Sequence, residues 1–271
     1  MLGAIAGDII GSGYEFDRTK RKDFTLFTDQ SSFTDDSILS IAVADVILHG
    51  GDFLRGSDYA LAIKRYAQAY PHPMGGYGAR FNQWAQSTSL EPYNSWGNGS
   101  AMRVSPVGFA YDTMAKVLDE AEQSAAVTHN HPEGIKGAQA TAAAIFLARN
   151  QHSKQVIKTF IEQTFDYDLS RTLSDIRPTY TFRESCQESV PESIIAFLES
   201  TDFEDAIRNA ISLGGDADTM GAITGSIAEA FYGGVPNAIA QECLRRLAPP
   251  LREMALSFCD RYTKSYSYSL I

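Results

Sequence analysis

The chain has 271 residues, of which 44% are hydrophobic and 21% charged, with a net charge of −10. That is enough apolar material for a sizeable core and too little charge for a disordered chain. The acidic balance disfavours non-specific nucleic-acid binding, which needs clustered Lys and Arg to release counterions, but it is compatible with an anionic ligand held by backbone amides. Cys186, Cys243 and Cys259 are scattered and show no CxxC spacing, which excludes a disulfide framework or zinc knuckle and fits a reducing cytosol.

Taken in chain order, the pattern is helical almost throughout. Segment 1–13 is apolar and Gly-rich, has no basic flank and is interrupted by Asp8; it reads as a buried helix rather than a signal peptide. Its glycines, Gly3, Gly7 and Gly11, recur every fourth residue, a spacing that serves close helix packing or admits a ligand. Glu15 follows two turns after Asp8, either on the surface or facing that ligand. Arg18-Thr19-Lys20-Arg21-Lys22, the one basic run, reads as a solvated loop. Helical periodicity then predicts helices over 38–48 and 59–70, the latter with Tyr59, Ala62, Ile63, Tyr66, Ala67 and Tyr70 on one face. Segment 71–106, rich in Gly, Pro, Tyr and Trp, is the least regular, and long loops on a helical scaffold often carry function.

Further helices are predicted over 115–127, 137–149 and 156–165. Pro191 fits the first position of another, running on to Leu198. Asp202 fits the cap of a helix whose stripe is Phe203, Ala206, Ile207, Ala210 and Ile211, with Gly214 and Gly215 as its stop. Helices over 221–231, 239–247 and 251–260 complete the set. Short strands are conceivable at 25–27 and 179–182, but no βαβ alternation would build a sheet. The expectation is an all-α chain of about ten helices, one compact domain over 1–271. No stretch approaches the roughly 20 apolar residues of a membrane span.

Four motifs carry chemistry. Phe33-Thr34-Asp35-Asp36-Ser37 and Gly214-Gly215-Asp216-Ala217-Asp218-Thr219 each put a hydroxyl and two carboxylates beside a helix start. Singly, each is a plain N-cap with an acidic first turn. Brought together, four carboxylates raise one another's pKa or recruit a cation. Carboxylate and hydroxyl oxygens suit Mg2+, Ca2+ or Mn2+ rather than Zn2+. Trp96-Gly97-Asn98-Gly99-Ser100-Ala101-Met102-Arg103 can expose successive amides to an anion or be an ordinary Asn-Gly turn; it lacks the ending of a P-loop. Thr128-His129-Asn130-His131-Pro132 has His-x-His with no Cys, a weak zinc signal, and reads as hydrogen-bonding.

These motifs in this order resemble the ADP-ribosylglycohydrolase family, over a span from Gly3 to about Gly234. The resemblance implies an all-α fold with two Mg2+ or Mn2+ ions in a central cleft. By match, Thr34, Asp35, Asp36, Asp216, Asp218 and Thr219 would be their ligands. Glu15 matches a substrate-contacting residue that assists catalysis, with Asp35 as the second candidate. Gly97, Asn98, Gly99, Ser100 and Met102 match the loop that takes a diphosphate, and His129 lines the same pocket. Ser37 stands where the family often has Thr. Segments 17–32 and 167–188, which would help choose the leaving group, match no signature. The implied reaction is hydrolysis of the C1″ bond between ADP-ribose and an acceptor such as a protein arginine, with an ADP-ribosylated base left open, by a cytoplasmic monomer. The alternatives are a metal-dependent hydrolase of another nucleotide substrate and a catalytically silent ADP-ribose-binding relative.

Overall fold

The computed structural model describes residues 1–50 and 54–263. They form fifteen helices: α1 (Leu2–Ser12), α2 (Asp35–His49), α3 (Gly56–Ala69), α4 (Ala79–Gln86), α5 (Gly99–Met102), α6 (Ser105–Ala110), α7 (Met114–Ala126), α8 (Pro132–Arg149), α9 (Lys154–Phe165), α10 (Leu173–Ile176), α11 (Cys186–Leu198), α12 (Phe203–Ile211), α13 (Ala217–Tyr232), α14 (Asn237–Arg246) and α15 (Pro249–Tyr262). The fold is all-α, a single compact domain.

Its axis is the pair α1 and α13. Every residue of α1 is buried, which explains why its sequence is apolar all round rather than striped. The two helices touch backbone to backbone: a Cβ on Gly7 would stand 1.9 Å from the Gly221 carbonyl oxygen. Neither glycine tolerates a side chain without parting the helices. This fixed contact places the end of α1, which leads to Glu15, beside the start of α13, which carries Asp218 and Thr219. Helices α8, α11 and α12 pack around α13, while α2 packs against α1, α3 and α15.

Several expectations are corrected. Segment 71–106 holds α4, α5 and the start of α6 rather than a long loop. Helices this short have little periodicity to detect and owe their stability to packing. No strand forms at 25–27 or 179–182; the described residues hold only isolated bridges, Thr34 with Met74 and Gly97 with Ser185. Pro191 lies inside α11, which starts at Cys186. The carbonyl it deprives of a donor, that of Gln187, belongs to an exposed residue and can turn to water. The basic run is the exposed loop expected, but three of its side chains reach partners far along the chain. Lys20 Nζ donates to the carbonyls of Tyr180 and Leu213, each at 2.5 Å. Lys22 pairs with Asp205 at 2.5 Å, and the Arg18 guanidinium lies 4.9 Å from the centre of the Phe182 ring. Among the described residues no helix is long and apolar enough to cross a membrane.

Candidate active site

A cleft of about 580 Å³ opens where α1, α2, α5 and α13 converge. Glu15, Asp35, Asp36, Asp216, Asp218 and Thr219 form an acidic part of its lining, and Gly97, Asn98, Gly99, Met102, Arg103 and His129 a second part.

The first knot is built as a cap. Thr34 is the N-cap of α2, its hydroxyl accepting the Asp36 amide. Asp35 and Asp36 occupy the first turn, where the positive helix end favours carboxylates. Behind them stands Asp8. Its Oδ2 accepts the amides of Thr34 at 3.0 Å and Ser37 at 3.1 Å, as well as the Ser37 hydroxyl, while its Oδ1 accepts the Thr34 hydroxyl at 2.7 Å. Asp8 is fully buried and anchors the knot.

The second knot starts α13. Asp216 is at the N-cap, and Asp218 and Thr219 follow in the first turn. Gly214 just before them has a φ of 67°, a left-handed conformation that favours glycine. Asn98 Nδ2 donates to Asp216 Oδ2 at 2.8 Å, tying the glycine-rich loop to the acids. The knots meet directly: the Thr219 hydroxyl donates to Asp36 Oδ2 at 3.3 Å. Glu15, Asp216 and Asp218 each offer an oxygen within 4.8 Å of the others. A Cβ on Gly75 would stand 2.9 Å from Glu15 Oε2, so the bare glycine leaves room for that carboxylate.

Burial, followed by repulsion from Asp218, holds Asp35, Asp36 and Asp216 well above the usual carboxylate range. The same causes raise Asp8 to about 7 and Glu15 to about 8. Asp36 Oδ1 and Glu15 Oε2 are buried without a hydrogen-bond partner. Crowded oxygens, two of them orphaned, fit a hard divalent cation in both number and type.

The second part is different. The amide of Gly97 goes to Ser95 Oγ and that of Asn98 to the Glu184 carbonyl, so the amides of Gly99 and Ser100 are the donors the turn retains. The Ser100 side chain turns inward, donating to the Gly134 carbonyl at 2.7 Å. His129 is buried, its Nδ1 2.7 Å from the Thr128 hydroxyl. Burial, with Arg103 and Arg80 nearby, pushes its pKa well below the usual histidine value, so the ring is neutral at pH 7. Arg103 is fully buried; burial lowers it to about 10, where it still carries its charge.

The structure therefore brings into one cleft the two acidic knots, Glu15, the glycine-rich loop and His129. Thr34 sits behind the carboxylates and Ser100 contributes only backbone. Reading the sequence missed Asp8 as an anchor and Arg103 as a site residue. Asp8 had a signal, an acid in the middle of an all-apolar helix; Arg103 had none beyond its place at the end of the loop.

An all-α scaffold thus gathers clustered acidic oxygens, a glycine-rich turn and a buried imidazole into one cleft. The family model described as ADP-ribosylglycohydrolase matches residues 1–267, and the chain belongs to that family, which places it among the hydrolases of ADP-ribose linkages. It is 27% identical to the ADP-ribosylhydrolase ARH3 of Bos taurus, over 90% of this chain and 87% of that one. It is 25% identical to the ADP-ribosylarginine hydrolase Tri1 of Pseudomonas putida, over 86% and 69% respectively. A solved chain titled ADP-ribosylglycohydrolase-related protein complex shares the fold with a TM-score of 0.70 at 23% identity, covering 95% of each chain.

Proposed function

We propose that this protein hydrolyses the C1″ bond between ADP-ribose and an acceptor on a protein, an arginine side chain first among the candidates, with two Mg2+ or Mn2+ ions held by Thr34, Asp35, Asp36, Asp216, Asp218 and Thr219. The observation that carries the reading is the meeting of the two acidic knots, Thr219 to Asp36, in a cleft that the glycine-rich loop also lines. When bound, divalent ions would neutralise the carboxylates and orient ribose hydroxyls and water.

The protein's own residues do the rest. The turn at Gly97–Gly99 and His129 receive the diphosphate, which sets the distal ribose against the acids. Cleavage at C1″ develops oxocarbenium character, and the carboxylates facing it lower that barrier. Glu15 holds the proton. With its pKa lifted to about 8 it can be protonated near neutrality, give the proton to the departing acceptor atom, and then take one from the attacking water. A cation beside it would draw that value down, and Asp35 is the second candidate. The arginine acceptor is favoured by the activity that the printed name of the Pseudomonas relative describes. Incubation with arginine-, serine- and nucleobase-linked ADP-ribose tests the reading. Intact ADP-ribose released from the arginine conjugate supports it. Release only from another acceptor replaces the arginine assignment, AMP plus ribose phosphate points to a phosphodiesterase, and no product points to a silent binder.

A further inference from the structure

Arg103 and Thr128 lie behind the glycine-rich loop and have no part in the chemistry proposed so far. Arg103 Nη2 donates to the Thr128 hydroxyl at 2.8 Å and to the Ser124 carbonyl at 2.9 Å. The same Thr128 hydroxyl is 2.7 Å from His129 Nδ1. All three side chains are buried, Arg103 and Thr128 completely. On its far side the imidazole looks onto the turn: a Cβ on Gly99 would stand 3.1 Å from His129 Nε2, and one on Gly97 3.6 Å. His129 lines the cleft there.

Among Arg103, Thr128 and His129 alone, donor and acceptor bookkeeping has one satisfied solution. A guanidinium only donates, so the Thr128 oxygen must be the acceptor of the Arg103 bond. Thr128 then has a single proton to give, and the partner at hydrogen-bonding distance that can take it is His129 Nδ1. The reverse arrangement, with Nδ1–H donating to Thr128, leaves the hydroxyl proton no acceptor among these three, a loss of about 1–3 kcal/mol unless the Tyr93 phenol takes it. A neutral imidazole that accepts at Nδ1 carries its proton on Nε2. That proton points at the turn, where an N–H meets an anionic oxygen favourably.

We propose that Arg103 and Thr128 are positioning residues that fix His129 as the Nε2–H tautomer, making it a donor to a phosphoryl oxygen seated over the Gly97–Gly99 turn. The donor role rests on the functional reading above; the tautomer does not. The arrangement gives an acidic protein a phosphate contact that needs no exposed cation. It also explains why a fully buried arginine stands beside a cleft of carboxylates and pairs with none of them in the hydrogen bonds described. The phenol of Tyr93 approaches the same Thr128 side chain. As a hydroxyl it can give or take, so it is the one neighbour able to divert the proton.

Long-range proton–nitrogen correlation spectra of the full chain, without nucleotide, read the tautomer directly. The expected result is a protonated Nε2 and a bare Nδ1 on His129, kept in Tyr93→Phe. Arg103→Lys, still donor-only, should keep it too. Arg103→Gln supplies an acceptor for the Thr128 proton and should give a mixture of tautomers, a change that mere loosening of the fold would not produce. Thr128→Val should weaken ADP-ribose binding about tenfold, the size of one lost hydrogen bond, and Thr128→Ser should restore it. An Nδ1–H tautomer or an imidazolium in the wild type overturns the proposal, as does a flip in Tyr93→Phe. Where an Arg103 variant fails to fold, the wild-type spectrum and the two Thr128 variants decide. A bare Nδ1 in a protein that binds no ADP-ribose sinks the functional reading and the donor role with it. An Nδ1–H tautomer in a protein that binds ADP-ribose sinks this proposal alone.

Discussion

The two walls of the cleft are built on opposite electrostatic terms. On the donor wall the charge is met by neutral groups only: Arg103 Nη2 gives bonds to Ser124 and Thr128 while its Nε and Nη1 are buried without a partner, and His129 is neutral. On the acid wall Asp35, Asp36, Asp216, Asp218 and Glu15 crowd together; burial raises all their pKa values, and repulsion from Asp218 adds to it at the other four. The donor wall buries one positive charge among neutral partners, whereas the acid wall is held in a state that a cation would relieve. Substitutions on the two walls should therefore differ in kind. Those on the acid wall should abolish activity and leave the metal-free fold intact or firmer; those on the donor wall should weaken nucleotide binding.

The largest effect is expected from Asp216→Ala or Asp218→Ala. Turnover should vanish while circular dichroism stays native, because few protein ligands hold a Mg2+ ion. The metal-free variant should unfold at a higher temperature than metal-free wild type, since one repelling carboxylate is gone. Near wild-type turnover at low metal would remove these residues from the ligand set. Next comes Glu15→Gln, which keeps size and loses the ionisable group. Its kcat should fall by at least ~10²-fold, the lower end of acid–base assistance, with Mn2+ and ADP-ribose affinities held. A fall of less than about threefold, far below that contribution, would pass the role to Asp35.

A smaller effect is expected at Asp8, which holds the acid wall without lining the cleft. Asp8→Asn should weaken Mn2+ binding by about 10–100-fold, as losses behind metal ligands do, measured by calorimetry against a core variant of equal thermal stability such as Phe258→Leu. Equal Mn2+ affinity in the two would make Asp8 a packing residue only. On the donor wall, Gly99→Val should weaken ADP-ribose binding and spare Mn2+, because a β-branched side chain would press on His129 Nε2. Unchanged ADP-ribose affinity would make the turn purely structural.

The acid wall was legible in the sequence and the donor wall only half so, for a physical reason. Thr34-Asp35-Asp36 and Asp216-Ala217-Asp218-Thr219 are polar knots beside apolar helices, and burying so many carboxylates is too costly to be incidental. The Gly3, Gly7 and Gly11 spacing left close helix packing or a ligand open, and the approach of α1 to α13 is the first of these. Arg103 and Thr128 act through bonds between segments that nothing in their local pattern announces. The tie of Lys20 to Tyr180 and Leu213 is of the same long-range kind, made from a loop that is solvent-facing as its pattern read. Helices α5 and α6 escaped because their Gly and Pro content reads as loop, α4 because its eight residues are flanked by such stretches, and Pro191 because a proline inside a helix is rarer than one at its start.

The pH response is the mildest consequence of the contrast. Asp8 and Glu15 are raised above their ordinary values, to about 7 and about 8. The folded protein then binds more protons than the unfolded chain between about pH 4 and pH 8, so stability falls as pH rises through that window. Chelated protein should accordingly unfold at a lower temperature at pH 8 than at pH 5.5, and a divalent cation should narrow the gap. A chelated protein more stable at pH 8 would mean that the carboxylates do not crowd as described.

The central claim is that the acid wall is a two-cation site. Titration of the chelated wild-type chain with Mn2+, followed by calorimetry and electron paramagnetic resonance, tests it most directly. The account predicts uptake of two ions per chain with a spectrum of magnetically coupled manganese, and loss of that coupling in Asp216→Ala. No uptake, or a single isolated ion unaffected by Asp216→Ala, would contradict it.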